Sequence, residues 1–118
     1  MGFVLDAFLK KDLFTDEFII ADFYSDVIDV SNVEEAFILQ LEFAQEGPDA
    51  IIGYASLEAS GDGITYAPYD QGIIHFNDSD GTFIWDVQNS GANFIKLFIK
   101  VDQGNIRATC RYSGKRRH

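Results

Sequence analysis

Apolar side chains that recur at every second residue are the feature that most constrains the fold of this chain. The pattern is clearest in two segments, residues 36–43 (AFILQLEF) and residues 94–101 (FIKLFIKV). The residues on the apolar side of these segments are Phe37, Leu39, Leu41 and Phe43 in the first, and Ile95, Leu97, Ile99 and Val101 in the second. Successive side chains of a strand point to opposite faces, so this period of two predicts strands that each bury one face.

Shorter segments of the same kind follow one another along the chain, separated by turn signals. They are GYASLEAS (53–60), ITYAPY (64–69), GIIHF (72–76) and TFIWDV (82–87), where Phe83, Trp85 and Val87 share a face. Gly-Asp-Gly at 61–63 and Asn-Asp-Ser-Asp-Gly at 77–81 predict turns, and Pro68 indicates an edge strand or a strand end. We therefore predict an all-β protein, an antiparallel β-sandwich of jelly-roll or immunoglobulin-like type with roughly seven to nine strands.

The last two strands are expected to pair as a β-hairpin. Residues 102–105 (Asp-Gln-Gly-Asn) predict its turn, and residues 106–112 (IRATCRY) predict its second strand. The apolar side of that strand would hold Ile106, Ala108, Cys110 and Tyr112. The opposite side of the hairpin would then be basic, with Lys96, Lys100, Arg107 and Arg111 facing outward.

The length of the chain, 118 residues, fits one domain. Residues 26–113 are expected to form the sandwich, and residues 114–118 a flexible basic tail after Gly114. Residues 1–25 are expected to form an N-terminal arm or an extra element. Within them, FVLDAFLKKDLF could be a short amphipathic helix, an extra strand, or an arm that becomes ordered on a partner.

Charge is distributed unevenly along the chain. Residues 1–95 carry two basic and eighteen acidic side chains, a net charge of −16, whereas residues 96–118 carry seven basic and one acidic, a net charge of +6. The acidic body should repel nucleic acid, since binding to phosphates depends on clustered positive charge. The basic region is expected either to contact the acidic face of a neighbouring subunit or to be a solvated terminus. The residues that would make this contact are Lys96, Lys100, Arg107, Arg111, Lys115, Arg116 and Arg117.

Several classes of protein are not expected from the composition. The apolar fraction of 47% is too high for a disordered chain, and no apolar run approaches the ~18 residues of a membrane span. Asp6 interrupts the first apolar stretch and the lysines follow it, so we predict no signal peptide and synthesis in the cytoplasm. Cys110 is the single cysteine, which excludes an intramolecular disulfide.

No catalytic constellation is visible, so we expect a protein that is not an enzyme. His75 lies inside a predicted strand without a cysteine, serine or spaced carboxylate to partner it, which favours a structural role. Cys110 alternates with core residues and is interpreted as a small buried hydrophobe. No pair of carboxylates has a spacing that identifies an acid and a base.

No cofactor is expected either. Residues 78–81 (Asp-Ser-Asp-Gly) resemble half of a calcium loop, but the EF-hand pattern fails because its first and last ligand positions would be Phe76 and Val87. An acidic hairpin turn is the favoured interpretation. A weak, incidental calcium site at Asp78 and Asp80 remains as an alternative, joined by Asp62 and Asp70 if all four converge at one end of a sandwich.

Aromatic residues carry a second hypothesis, in which exposed rings stack on sugars. Trp85, Tyr54, Tyr66 and Tyr69 are the candidates. The competing and favoured interpretation places Trp85 in the core between Phe83 and Val87, with Tyr66 and Tyr69 packed at an edge.

From residue 26 onward the chain resembles small β-sandwich structural proteins of bacteriophage virions. The segments that carry the resemblance are SDVIDVSNVEEAFILQLEF, GYASLEASGDGITYAP, GTFIWDV and GANFIKLFIKVDQGNIRATCRYSGK. It implies a virion component of the capsid-decoration, spike-base or head–tail accessory type, whose partners are other virion proteins or its own copies in a homo-oligomer. It supplies no catalytic residues. The alternative function is that of a carbohydrate-binding β-sandwich module used in attachment.

Overall fold

Two antiparallel β-sheets form the protein, which we describe from a computed structural model covering residues 8–31, 33–76, 79–87 and 91–116. Only the backbone is described at residues 8–10, 33–36, 70–71 and 115–116. Within these residues there are nine strands and no helix. The strands are β1 (Phe8–Ile19), β2 (Phe23–Tyr24), β3 (Ile28–Asp29), β4 (Val33–Gln45), β5 (Ile52–Ser60), β6 (Ala67–His75), β7 (Asp80–Val87), β8 (Phe94–Gln103) and β9 (Ile106–Arg116).

The order of the strands is that of a jelly roll. One sheet has the order β1-β9-β4-β7, and the other has the order β2-β8-β5-β6, with β3 also paired to β8. If β2 and β3 are taken as one interrupted strand, the chain forms two facing four-stranded layers. In an immunoglobulin fold the first two strands pair within one sheet. Here β1 and β2 lie in opposite sheets, so the all-β sandwich is confirmed and its topology is the jelly-roll alternative.

The predicted hairpin between the last two strands is wrong. β8 pairs with β5, β2 and β3 in one sheet, whereas β9 pairs with β1 and β4 in the other. The turn between them crosses from sheet to sheet through Gly104, whose φ is +79°. A Cβ at this position would lie 2.7 Å from the carbonyl oxygen of Ala50, so the crossing also needs glycine for space. Both strands still turn their apolar sides into the same core, which is why the alternation did not reveal the crossing.

The core lies between the two sheets and is formed by the predicted apolar faces. Phe37, Leu39, Leu41 and Phe43 of β4 are all buried, and Trp85 of β7 lies beside them. The residues that these meet from the other strands are also buried: Ala55, Leu57, Ile95, Leu97, Ile99, Val101, Ile106, Ala108, Cys110 and Tyr112. The strand patterns read from the sequence for β4, β7, β8 and β9 are therefore confirmed.

The N-terminal segment is a strand over the residues described. β1 pairs with β9 along its length, with register shifts on either side of Phe14. Asp16 in the second irregularity has a φ of +53°, and its backbone N–H donates to Thr109 Oγ1 at 2.9 Å. Of the three alternatives for the N-terminal segment, the structure has the extra strand from Phe8, while residues 1–7 lie outside the described residues.

Two boundaries differ from those expected. The segments ITYAPY and GIIHF contribute to one strand, β6, which begins at Ala67 and lies at the edge of its sheet, as Pro68 indicated. The backbone of β9 continues to Arg116, beyond Gly114, where a flexible tail was expected to begin. Gly114 itself is buried and pairs with both Leu9 and Phe37. Arg117 and His118 lie outside the described residues.

Candidate functional site

The outer surface of the sheet β2-β8-β5-β6 carries a group of aromatic and cationic side chains. β8 buries every second residue in the core, so its other residues point outward. All four of these, from Phe94 to Lys100, are half-buried. We call this surface the aromatic face and define it by Tyr24, Tyr54, Tyr66, Ile73, His75, Lys96, Phe98 and Lys100.

Four rings form a continuous row across the aromatic face. The ring centroids of Tyr24 and Phe98 are 4.6 Å apart, those of Phe98 and Tyr54 6.0 Å, and those of Tyr54 and His75 6.0 Å. The interplanar angles along the row are 32°, 69° and 61°. Rings in tilted and edge-to-face contact stabilise one another. The row therefore forms a braced surface and not a set of parallel platforms.

The register of the sheet places these rings side by side. Tyr24 of β2 is the partner of Phe98 in β8, and Tyr54 of β5 is the partner of His75 in β6. The buried Ser25 extends the pairing beyond Tyr24, since its N–H donates to Leu97 O at 2.9 Å and its Oγ accepts from Leu97 N–H at 2.8 Å. This double contact fixes Tyr24 against β8.

Lys96 lies between two tyrosine rings of the aromatic face. Its Nζ is 4.6 Å from the ring centroid of Tyr24 and 4.1 Å from that of Tyr66. Both distances are within the range of cation–π contacts. The Tyr66 hydroxyl is buried and has no hydrogen-bond partner among the described residues. Lys96 thus covers ring surface that would otherwise be open to a stacked ligand.

A tight loop borders the aromatic face and carries Asp62, one of the acidic residues considered for calcium. The carboxylate of Asp62 accepts hydrogen bonds from the backbone N–H groups of Ile64 (2.8 Å) and Thr65 (2.9 Å) and from Ser60 Oγ (2.9 Å). These bonds lower the pKa of Asp62 to about 2, with the Thr65 and Ile64 N–H groups as the largest causes. Asp62 therefore serves to hold the loop.

The four basic residues predicted to face one way are divided between the two outer surfaces of the sandwich. Lys96 and Lys100 lie on the aromatic face, whereas Arg107 and Arg111 lie on the outer side of the sheet β1-β9-β4-β7. We call this second surface the acidic face and define it by Asp12, Asp16, Ile38, Glu42, Glu46, Asp80, Ile84, Asp86, Arg107 and Arg111. The predicted basic surface is therefore not one patch, and its role in contacts with a partner stays a prediction.

The arginines and the lysines differ in how they are neutralised. Arg111 Nη1 is 2.8 Å from Glu42 Oε2, and its Nε is 3.7 Å from Asp12 Oδ1. Arg107 Nε is 3.5 Å from Glu46 Oε2 and 3.9 Å from Asp16 Oδ1. Neither Lys96 nor Lys100 forms an ion pair with a side chain that the structure describes. Lys96 lies opposite Glu58 in the pairing of β5 with β8, so the surface around the lysines also carries a carboxylate.

A shallow depression on the acidic face, with a volume of about 270 Å³, lies around Arg107. Its acidic wall is formed by Asp16, Glu42 and Glu46. Arg107 already pairs with two of these carboxylates, so the main charges that line the depression are neutralised within the chain.

The residues proposed for sugar stacking do not form an exposed platform. Trp85 is 7% exposed, and its Nε1–H donates to the carbonyl oxygen of Gly72 at 2.9 Å. Tyr69 is half-buried, with its ring centroid 6.4 Å from that of Phe37. Trp85 is thus a core residue, as the favoured interpretation had it. Tyr54 and Tyr66 are the candidates that do lie on the aromatic face.

The remaining candidates can be placed individually. Cys110 is buried, as expected, and this burial raises the pKa of its thiol to about 12. His75 is exposed on the edge strand β6, beside Tyr54. Across the described part of the chain, no three His, Cys, Asp or Glu side chains are grouped so as to hold a metal ion. Asp78 lies outside those residues, as does the side chain of Asp70.

Sequence reasoning missed Tyr24 and Phe98 as site residues. The outward positions of β8 were visible as Phe94, Lys96, Phe98 and Lys100, and the signal was the pair of phenylalanines alternating with the lysines. Single exposed apolar residues are common on protein surfaces, so these two phenylalanines alone do not identify a site.

Over the residues that the structure describes, no helix is long and apolar enough to cross a membrane. No protein-family model matches the chain, and no curated protein is significantly similar to it in sequence.

Solved structures match this chain at low sequence identity. The SPBc2 prophage-derived protein YomS matches with a TM-score of 0.57 and 12% identity, over 91% of this chain and 93% of YomS. The Tobacco streak virus coat protein matches with a TM-score of 0.48 and 12% identity, over 96% of this chain and 88% of the coat protein. The carbohydrate-binding module CBM4 matches with a TM-score of 0.46 and 11% identity, over 78% of this chain and 56% of that protein. At 12% identity the likeness to YomS concerns the fold alone.

Proposed function

We propose that this chain is a non-enzymatic structural protein of a virion and that it acts through protein–protein contacts made by the aromatic face. The observation that carries the proposal is the row of rings across this outer surface, with the exposed side chain of Ile73 beside it. Tyr24 is 55% exposed and Ile73 is 46% exposed. Apolar surface of this kind, bordered by polar groups, marks interaction sites, and tyrosine and phenylalanine are enriched at protein interfaces.

A virion component of the capsid-decoration, spike-base or head–tail accessory type fits this surface. Its partners are other virion proteins, including its own copies, and it is made in the host cytoplasm before assembly. Jelly-roll sandwiches recur in viral capsid domains, and the fold is shared with YomS, a prophage-derived protein. The motifs of residues 26–118 that resemble phage structural proteins support the same class.

The geometry of the rings favours a protein partner over a sugar. Sugar rings stack on open aromatic faces, yet Lys96 covers ring surface of Tyr24 and Tyr66. Tyr54 meets Phe98 and His75 at steep angles of 69° and 61°. A braced aromatic surface with projecting edges suits packing against the side chains of another protein.

Co-sedimentation of the tagged chain with particles released by the cells that produce it tests this proposal. Wild-type protein should migrate with the particles, and Ile73→Ser should reduce its incorporation. Ile20→Ser is the matched control, because Ile20 is an isoleucine of similar exposure, 59%, in the connection between β1 and β2. Absence of the wild-type chain from particles would overturn the virion assignment, and equal loss in both variants would overturn the role of the aromatic face.

Glycan binding is the second candidate, and the exposure of Tyr24 is the observation that favours it. A tyrosine that is 55% exposed on a sheet surface can offer ring area to a sugar. Calorimetric titration of the purified chain with a glycan panel decides the matter, with Tyr24→Ala as the test variant. Binding that Tyr24→Ala abolishes would replace the structural role with carbohydrate recognition, whereas no heat with any glycan would exclude it.

A further inference from the structure

Strand β7 is an edge strand whose outer side is open. It pairs with β4 on one side over all eight of its residues, from Asp80 to Val87, without a register shift. No strand in the described part of the chain pairs with its other side. Because only alternate residues of an edge strand direct their backbone groups toward its neighbour, about half of the N–H and C=O groups of β7 point away from β4. These groups can form hydrogen bonds with a further strand.

The other edges of the two sheets are protected against such pairing. β1 has two register shifts against β9 and a residue, Asp16, with a φ of +53°. β6 contains Pro68 and pairs irregularly with β5, and β2 and β3 are each two residues long. Bulges, prolines and short strands are the means by which natural proteins keep sheet edges from pairing with other chains. β7 has none of these, and it contains no lysine or arginine.

The side chains of β7 indicate what kind of strand fits beside it. Phe83 and Val87 pack against the core but are only partly buried, so apolar side chains on an added strand would cover their remaining surface. On the outer side of the sheet, Asp80 and Asp86 are exposed, as is Ile84 at 60%. The neighbouring strand β4 contains no basic residue either. Since opposite charges on neighbouring strands are favourable and like charges are not, cationic side chains suit this outer side.

We propose that β7 binds an extended segment of another protein, which adds a strand to the sheet and alternates apolar with basic side chains. The apolar residues face the core beside Phe83 and Val87, and the basic residues lie beside Asp80 and Asp86. A second copy of this chain fits less well, because two paired β7 strands would bring four aspartates onto one side of the joined sheet. β7 belongs to the sheet opposite the aromatic face, so its edge is a separate contact surface.

Amide hydrogen exchange of the purified full chain, followed by NMR with and without a synthetic peptide, tests the proposal. The probe is a peptide of the same length as β7 that alternates valine and lysine, and the control peptide has glutamate in place of each lysine. The lysine peptide should bind and should slow exchange about tenfold or more at alternate residues of β7, those whose N–H groups point away from β4.

Three results with these peptides would overturn strand addition at β7. The first is binding that leaves the alternate amides of β7 unprotected, which would indicate electrostatic adhesion to the surface of the sheet. The second is equal binding of the glutamate peptide, and the third is no binding of the lysine peptide.

Asp80→Lys is the variant that tests the charge of the edge. It should weaken binding of the lysine peptide by about tenfold. Asp102→Lys makes the same change at an exposed residue of β8, in the other sheet, and should bind the peptide as the wild type does. An equal loss in both variants would overturn the role of the β7 edge. Protection of the alternate β7 amides in the free wild type that rises with protein concentration would overturn the proposal in favour of pairing between two copies. Circular dichroism verifies the folding of both variants, and the exchange measurement on the wild type requires no variant.

Discussion

The indole Nε1–H of Trp85 donates a hydrogen bond of 2.9 Å to the backbone carbonyl oxygen of Gly72. Trp85 lies on β7 and Gly72 on β6, the edge strands of the two sheets on the same side of the sandwich. The bond thus joins the two sheets directly, whereas the backbone hydrogen bonds of each sheet join only strands within that sheet. A Cβ on Gly72 would lie 2.9 Å from the carbonyl oxygen of Tyr69, so the backbone here is tightly packed.

Replacing Trp85 with phenylalanine should destabilise the protein. The substitution leaves the carbonyl oxygen of Gly72 without its donor in a buried place, which costs about 1–3 kcal/mol. Urea unfolding followed by far-UV circular dichroism measures the change. The control is Ile84→Ala, at a neighbouring residue that is 60% exposed and should change stability by no more than about 0.5 kcal/mol. Equal stability of Trp85→Phe and the wild type would show that the contact between the sheets is dispensable.

Burial of every second residue in the longer strands was predictable from the sequence, and the sheet to which each strand belongs was not. Ile99 and Ile106 face the core whether the turn at 102–105 closes a hairpin or crosses between sheets. Local alternation fixes only which face is buried. The choice of sheet depends on pairing with strands distant in sequence, such as β1 and β4 on either side of β9.

The aromatic face was only partly predictable for the same reason. That Phe98 and Lys96 point outward follows from alternation alone. Their contacts with Tyr24 depend on the short strand β2, two residues held in register by Ser25. Two residues are too few for a period of two to be recognised. The contrast between paired arginines and unpaired lysines likewise depends on which carboxylates the sheet brings beside each cation.

Gly53 should not tolerate a side chain. It follows an irregularity in the pairing of β5 with β8, and a Cβ there would lie 2.0 Å from the carbonyl oxygen of Lys100. Gly53→Ala should therefore cost about 1–3 kcal/mol through overpacking. Gly61→Ala is the matched control, because nothing lies within 4 Å of its Cβ position, and it should stabilise by about 0.4–1 kcal/mol through the unfolded state. Thermal unfolding of both variants measures the difference, and similar melting temperatures would contradict the close approach.

Stability should fall as the pH rises above about 9. Burial raises the pKa values of Cys110 and Tyr112 to about 12, from ordinary values of 9.0 and 10.0. Between those ordinary values and about 12, the unfolded chain releases protons that the folded chain retains, so the free energy of unfolding decreases with pH. Urea midpoints across this window measure the slope.

Cys110→Ala isolates the contribution of the thiol to this alkaline slope. Whatever its overall stability, the variant should lose less stability than the wild type between pH 9 and 10, since only Cys110 has its ordinary pKa at 9.0. The native thiol should also resist alkylating reagents until the protein unfolds. Identical slopes for variant and wild type would show that burial does not raise the pKa of the thiol. Rapid labelling of the folded chain would show that the thiol is accessible.

Arg111 and Lys100 should differ in what they contribute to the stability of the folded chain. Arg111 joins β9 to its two neighbours through Glu42 and Asp12, with all three side chains substantially exposed. Because exposed ion pairs contribute about 0.2–1 kcal/mol each and are screened by salt, Arg111→Gln should lower stability slightly at low salt and not at about 1 M salt. Lys100→Gln should leave the free energy of unfolding within about 0.5 kcal/mol of the wild type at both salt concentrations, because Lys100 forms no ion pair with a described side chain. Urea unfolding of both variants at low and at high salt measures the difference, and an equal loss of stability in Lys100→Gln and Arg111→Gln at low salt would contradict it.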